Sequence, residues 1–148
     1  MRNALLTCAL ALGTLLPLTA MPGQPPASPP TSPPSSALDY AYFKTKVQPI
    51  FLAKRPGHAR CISCHGSGTP LRLQPLTAGS TTWTDDESRK NFQAVQRVAA
   101  AGLKSRLLLH PLEEQAGGDF YHSGGKHFAS QNDPEWLVLK AFVTGQTH

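Results

Sequence analysis

The chain contains few cysteines, no clear strand pattern and no dense basic cluster, and each absence excludes a class of protein. Its three cysteines, Cys8, Cys61 and Cys64, are too few for a zinc site of two cysteine pairs, and a Cys61–Cys64 disulfide would close too small a loop to stabilise much. No segment alternates apolar and polar residues over a strand's length, so we expect an all-α fold. The net charge is only +5, and no Lys/Arg cluster is dense enough to predict nucleic-acid binding.

The N-terminal residues 1–21 are typical of an export segment. Arg2 supplies a positive start, and an apolar stretch follows over Ala4–Leu18. The cleavage site near Ala20 is a poor match to Ala-x-Ala, so the segment is predicted to be either a signal peptide or an N-terminal membrane anchor. Cys8 is interpreted as a small apolar residue of this segment. In both cases we expect the chain in the periplasm or on the outer face of the inner membrane.

Residues 22–36 are dense in proline and contain nothing that could build a core. This composition favours extended polyproline II, so the segment is predicted to be a linker, and a disordered tail without a role is the alternative. With an uncleaved N-terminus, the linker would tether the rest of the chain to the membrane. Residues 37–148 are then expected to form one folded domain.

Residues 61–65 carry the most specific signal in the chain, the sequence Cys-Ile-Ser-Cys-His. Cys-x-x-Cys-His is the attachment site of a c-type haem. The spacing places both sulfurs on one face of a helical turn, where they form thioethers with the two vinyl groups of a porphyrin. His65 then binds the iron as its proximal ligand. We therefore predict one covalent haem c, attached through Cys61 and Cys64, and a dithiol or a chance match is the alternative.

The first helix of the folded part is expected over Leu38–Leu52, where apolar residues recur at spacings of three and four. Ser36 is the predicted N-cap. Pro49 lies within this pattern, so the helix is expected to kink or to end near Gln48.

Two further helices carry clear boundary signals. A capping box that begins at Thr84 predicts a helix with Gly102 as its C-cap. Asp133 as N-cap and Pro134 at the first position predict the start of the last helix, and Gly145 is predicted to end it.

The order of these elements resembles the class I cytochrome c fold. A closer resemblance is to small cytochrome c-like domains of the planctomycete and acidobacterial type, and it covers most of residues 40–145. The matched positions are Phe43, Val47, Pro49, Ile50 and Phe51, the haem motif, and the segment 110–145. The resemblance implies a cytochrome c-like fold in which the N- and C-terminal helices pack together around the covalent haem. It places Phe43, Val47 and Phe51 against Trp136, Leu139 and Phe142.

The second axial ligand of the iron cannot be the methionine that class I cytochromes usually supply. The only methionines are Met1 and Met21, and both precede the folded domain. Five other histidines exist, but His58 is too close to the motif to cross the porphyrin and His148 is the last residue. The remaining candidates are His110, His122 and His127.

Related domains that use a methionine ligand read Met-Pro-Pro-Gly-Gly in the loop before the last helix. Aligning that glycine pair with residues 124–125 puts the methionine position at Tyr121, beside His122. We therefore predict His122 as the distal ligand, with His110, His127 or no protein ligand as alternatives. A second imidazole stabilises ferric iron, so we expect a low-spin haem with a lower reduction potential than in Met/His cytochromes.

The expected function is electron transfer rather than catalysis. Without Arg2 the domain has 13 Lys or Arg against 9 Asp or Glu, a mild positive balance that suits transient docking on acidic redox partner proteins. The alternatives are a haem subunit of a larger respiratory or redox assembly, and a peroxidase or gas-binding haem protein. The enzymatic alternative needs an open sixth position with an acid–base group beside it.

Overall fold

A computed structural model describes residues 38–147 of the chain. Within this range the protein is mostly helical, and its only extended pairing is an isolated bridge, which confirms the all-α prediction. No helix between residues 38 and 147 is both long and apolar enough to cross a bilayer. The predicted export segment (residues 1–21), the linker (22–36) and His148 lie outside the described residues.

The first helix, α1, covers residues 40–52 and passes through Pro49 without ending. Its three segments are α-helical Tyr40–Tyr42, π-helical Phe43–Val47 and α-helical Gln48–Leu52. In the wider π-turn the N–H of Gln48 donates to the carbonyl of Phe43, five residues back. Of the two predicted outcomes, an end near Gln48 is wrong, because the helix continues to Leu52; the chain changes helix type directly before Pro49, which lacks an N–H.

The start of α1 also differs from the sequence prediction. Asp39 is the N-cap, and its Oδ1 accepts a hydrogen bond of 3.1 Å from the backbone N–H of Tyr42. The helix therefore begins at Tyr40, not at Leu38, and Ser36 as its N-cap was wrong. The carboxylate of Asp39 satisfies a free N–H and complements the positive end of the helix dipole.

Four more α-helices and two short 3₁₀ turns follow. They are α2 (Cys61–His65), α3 (Asp85–Ala99), a 3₁₀ turn (Gly102–Lys104), α4 (Arg106–Leu109), a 3₁₀ turn (Glu114–Ala116) and α5 (Pro134–Thr144). The capping box at Thr84 is confirmed, and so are Asp133 as N-cap and Gly145 as the left-handed end of α5. Gly102 is not the C-cap of α3, because that helix ends at Ala99 and Ala100 is its C-cap, while Gly102 begins the next 3₁₀ turn.

The first and last helices pack together through aromatic rings, and α3 completes the contact. The ring centroids of Phe43 and Phe142 lie 6.1 Å apart, and Phe92 of α3 lies 5.3 Å from Phe43. Phe43 and Phe142 are fully buried. Near the start of α5, the indole N–H of Trp136 donates to the carbonyl of Leu108 at 3.1 Å, which connects α5 to α4. Burial of these large rings supplies much of the apolar stabilisation of the domain.

The loop that joins α4 to α5 is closed at its base. Leu112 and Phe128 form the isolated parallel bridge, and the N–H of Glu113 donates to the carbonyl of Phe128 at 2.9 Å. The N–H of His127 donates to the carbonyl of Pro111 at 2.8 Å. The loop residues between these two paired segments include His122, and both ends of the loop are held by backbone hydrogen bonds.

Gly118 lies in the first part of this loop, where no side chain fits. A Cβ there would be 1.9 Å from the carbonyl oxygen of Leu112. We expect Gly118→Ala to lower the free energy of unfolding by about 3 kcal/mol, because the backbone of the loop must move to admit a methyl group. Urea denaturation of the purified protein measures the effect.

Gly68→Ala is the matched control for this substitution. Gly68 has a positive φ of 69° but open space around its Cβ position, so only backbone strain of about 1–2 kcal/mol is expected. Equal losses in the two variants would contradict the close contact at Gly118.

Asp85, the first residue of α3, links α3 to α1 through exposed charges. Its carboxylate accepts hydrogen bonds from Lys44 at 2.6 Å, the Tyr40 hydroxyl at 3.0 Å and Arg89 at 3.0 Å. These bonds, that of Lys44 foremost, lower the pKa of Asp85 from 3.8 to about 2. Because the pKa is lower in the folded state, the stabilisation is complete above the unfolded pKa and is lost as the pH falls towards 2.

We therefore expect Asp85→Asn to flatten the dependence of stability on pH between about 4 and 2, because the variant has no carboxylate to protonate there. Urea midpoints at a series of pH values measure this. Asp86→Asn is the neighbouring control, since Asp86 makes no such set of bonds. An unchanged pH profile in Asp85→Asn would refute the assignment.

Candidate functional site

Helix α2 presents the three reactive residues of the motif from a single turn. Buried Ile62 anchors the turn in the core, and Cys61 is half-buried while Cys64 is exposed. Neither thiol is in a disulfide. Cys61, Cys64 and His65 line one cleft, so the helical turn brings both sulfurs and an imidazole to the same wall, as the spacing predicts.

The cleft has mostly apolar walls, contributed by the helices and by the loop before α5. Its apolar lining includes Ile50, Phe51, Leu71, Val98, Leu107, Pro111, Phe128 and Leu139. The cleft is open to solvent on one side. Apolar walls with a few converging polar groups are typical of cofactor sites. A large apolar cofactor that reacts with two thiols suits the chemistry of such a cleft.

The orientation of His65 is set by the chain that follows the motif. Its Nδ1 lies 2.9 Å from the carbonyl oxygen of Leu71 and 2.9 Å from Oγ1 of Thr69. A carbonyl can only accept, so Nδ1 carries the proton and Nε2 keeps its lone pair. Histidines that bind metals are held in this way, with the other ring nitrogen donating to a carbonyl or a carboxylate.

His122 has the same arrangement in the loop before α5. Its Nδ1 lies 2.6 Å from the carbonyl oxygen of Gly125, within a tight turn in which the N–H of Gly125 donates to the carbonyl of His122 at 2.9 Å. Nε2 is again left with its lone pair. Burial lowers the pKa of His122, so the ring is neutral near pH 7, which is the form that binds a metal.

The rings of His65 and His122 face the same cleft, and their separation matches that of two imidazoles bound to one metal. Their ring centroids lie 6.1 Å apart and their planes differ by 25°. With a metal–nitrogen bond of about 2.0 Å, two imidazoles on opposite sides of a metal have centroids about 6.2 Å apart. Within residues 38–147, no group of three or more His, Cys, Asp or Glu side chains could hold a metal ion by itself. The two imidazoles suit a metal whose other ligands come from a macrocycle, and so they fit a haem.

His110 also lines the cleft, but both of its ring nitrogens are already used. Nδ1 lies 2.9 Å from Oδ2 of Asp119, and Nε2 lies 3.1 Å from Nη2 of Arg106. Because the guanidinium can only donate, it occupies the lone pair that a metal would need. The ring centroids of His110 and His122 lie 4.8 Å apart, so His110 packs beside His122.

His127 lines the cleft without an anchored ring. Its Nδ1 is buried and has no hydrogen-bond partner among the residues described. Burial first, and then the neighbouring His58 and Arg55, lower the pKa of His127 from 6.5 to about 4. The ring packs against His58 at 4.8 Å. Of the three candidates, His122 alone has Nδ1 bonded to a carbonyl and Nε2 unused.

The charged side chains that line the cleft have one sign. Apart from histidines, the charged side chains that line it within the described range are Arg60 and Arg106, and both are exposed. Beside the cleft, Arg55 Nη1 lies 3.9 Å from Sγ of Cys61. Burial raises the pKa of the Cys61 thiol, and Arg55 opposes this shift.

Sequence reasoning missed the residues that orient the site. Thr69, Leu71 and Gly125 act on the histidines through a hydroxyl or a backbone carbonyl, and carbonyls carry no sequence signal. Arg55 was missed as well, although its charge lies against Cys61. The one available signal was Gly125, since a glycine three residues after His122 permits the turn whose carbonyl the ring meets.

Gly125 has a positive φ of 78°, which an alanine adopts only with strain. We expect Gly125→Ala to lower the free energy of unfolding by about 1–2 kcal/mol and to displace the carbonyl that holds His122. Denaturant unfolding measures the first effect. Gly57→Ala is the control, because Gly57 has a similar φ of 74° and nothing within 4 Å of its Cβ position. A Gly125→Ala variant as stable as the parent would contradict the turn.

Comparisons of the chain with protein-family models, with curated proteins and with solved structures found no match. The function proposed below therefore depends on the residues and the geometry of the cleft.

Proposed function

We propose that the protein is an exported c-type cytochrome that carries single electrons between partner proteins. In this proposal one haem is bound covalently through Cys61 and Cys64, with His65 and His122 as its two axial ligands. The observation that carries the proposal is the pair of imidazoles 6.1 Å apart, each with Nδ1 on a carbonyl, at a cleft that also contains both cysteines.

The bound haem would supply an iron that accepts one electron from a reduced partner and returns it to an oxidised one, with no atom transferred. The protein's contribution is to keep both ligands in place in both oxidation states. Each Nδ1–H bond to a carbonyl holds its ring in a single orientation and strengthens its Nε2 as a donor. Two such imidazoles favour ferric iron, so a low reduction potential is expected.

The surroundings of the cleft support a docking carrier. Its apolar walls would exclude water from a bound macrocycle, and the cleft is open to solvent on the side where a partner could approach. Arg60 and Arg106 at the cleft favour an acidic partner surface. The predicted export segment supports the same function, because c-type haems are attached outside the bacterial inner membrane.

A haem subunit of a larger redox assembly is the second candidate. Phe120 and Tyr121, directly before His122, have 84% and 66% of their surfaces exposed. Adjacent exposed aromatic rings are typical of surfaces that contact another protein. Size-exclusion chromatography of the native extract separates the two candidates, because a carrier elutes as a small protein and a subunit elutes with its assembly.

His122→Ala tests the ligand assignment. We expect the purified wild-type protein to carry one covalent haem with a low-spin visible spectrum in both oxidation states. In His122→Ala the iron loses one ligand, and the spectrum becomes high-spin while the haem stays attached. Carbon monoxide is then expected to bind the reduced variant much faster than the reduced wild type.

His110→Ala and His127→Ala are the matched controls and should remain low-spin. His122→Met should remain low-spin but have a higher reduction potential, because a thioether favours ferrous iron. A high-spin wild type, or conversion to high spin in His127→Ala rather than in His122→Ala, would refute His122 as the ligand. Absence of covalent haem after expression with a c-type maturation system would refute the proposed function itself.

A further inference from the structure

Arg55 lies directly behind the wall of the cleft, in the loop between α1 and α2. Only 13% of its side chain is exposed. Its Nη1 lies 3.9 Å from Sγ of Cys61, and its guanidinium carbon lies 5.5 Å from the ring centroid of Phe128. Cys61 and Phe128 both line the cleft. A permanent positive charge is therefore held against one of the two attachment thiols.

Three separate elements fix this guanidinium. Its Nε donates to Oε2 of Glu135 at 2.7 Å, and its Nη2 pairs with the same carboxylate. Nη2 also donates to the carbonyl of Ile50 at 3.4 Å. Ile50 belongs to α1, Glu135 to the first turn of α5 and Cys61 to α2. Arg55 thus connects the two terminal helices to the turn that carries the haem motif.

The ion pair is unequal in its exposure to water. The Glu135 side chain is 37% exposed, about three times the exposed fraction of Arg55. Water therefore screens the carboxylate more than the guanidinium, and a net positive potential remains on the side that faces the cleft. Arginine stays protonated throughout the accessible pH range, so this potential does not titrate away.

We propose that Arg55 is a positioning residue that holds Cys61 for haem attachment and raises the reduction potential of the bound haem, and that Glu135 limits this increase. The inference rests on the proposed function. A fixed positive charge disfavours the oxidation state with the larger positive charge, which is the ferric one. Arg55 therefore partly offsets the low potential that two imidazole ligands impose.

Three variants of the haem-loaded protein test the proposal: Arg55→Gln, Glu135→Gln and the double variant. Arg55→Gln removes the positive charge and leaves Glu135 unpaired, so the midpoint potential should fall. Glu135→Gln leaves Arg55 uncompensated, so the potential should rise. The double variant removes both charges, so its midpoint potential should lie between those of the two single variants and near that of the wild type. Redox titration followed by the visible spectrum measures all three.

Lys44→Gln and Asp85→Asn are the matched controls, because that ion pair is exposed and does not line the cleft. We expect both to leave the potential unchanged. Shifts of the same sign in Arg55→Gln and Glu135→Gln, or shifts no larger than in the controls, would overturn the charge effect. If Arg55→Gln does not fold, Glu135→Gln and Arg55→Lys still test the charge effect. Glu135→Gln must raise the midpoint potential, and Arg55→Lys, which keeps the positive charge, must leave it unchanged.

The positioning role has its own readout, the mass fraction of chains with two thioether bonds. We expect Arg55→Gln to accumulate chains attached through one cysteine, and Asp85→Asn to be fully attached. Complete attachment in Arg55→Gln would overturn the positioning role. A wild type that carries no haem would refute the proposed function instead, so the two failures are distinguishable.

Discussion

Two backbone carbonyls, those of Leu71 and Gly125, determine what the cleft can do. Each accepts a hydrogen bond from Nδ1 of a histidine, and each thereby leaves Nε2 with a free lone pair. Without these bonds His65 and His122 could adopt either tautomer and several ring orientations. With them, two imidazoles are held with their ring centroids 6.1 Å apart.

The fold fixes the two chain segments that carry His65 and His122. On one side, α2 is a single turn anchored by buried Ile62, and Arg55 joins it to α1 and α5. On the other side, the loop that carries His122 is closed at its base by the pairing of Leu112 with Phe128. The packing of Phe43 on Phe142 brings these two sides together. Stability of the helix pair and geometry of the site are therefore coupled.

Local sequence signals predicted most of the helix positions and the motif turn, and the features that were missed depend on contacts between residues distant in the sequence. The haem motif, the capping box at Thr84 and the start of α5 at Asp133 each depend on residues within four positions, and all three segments are helical as expected. The passage of α1 through Pro49 depends on packing that tolerates a π-turn. Arg55 and Glu135 are 80 positions apart, so no local sequence pattern predicts their pairing. Elimination left three histidines, and the resemblance to related domains, through the glycine pair at 124–125, singled out His122.

The most direct test of the central claim is a crystal structure of the haem-loaded protein. We expect thioether bonds at Cys61 and Cys64, and Nε2 of both His65 and His122 about 2.0 Å from the iron. The Nδ1 atoms should still contact the carbonyls of Leu71 and Gly125. An iron bound on its distal side by His127, His110 or water, with His122 turned away, would contradict the account.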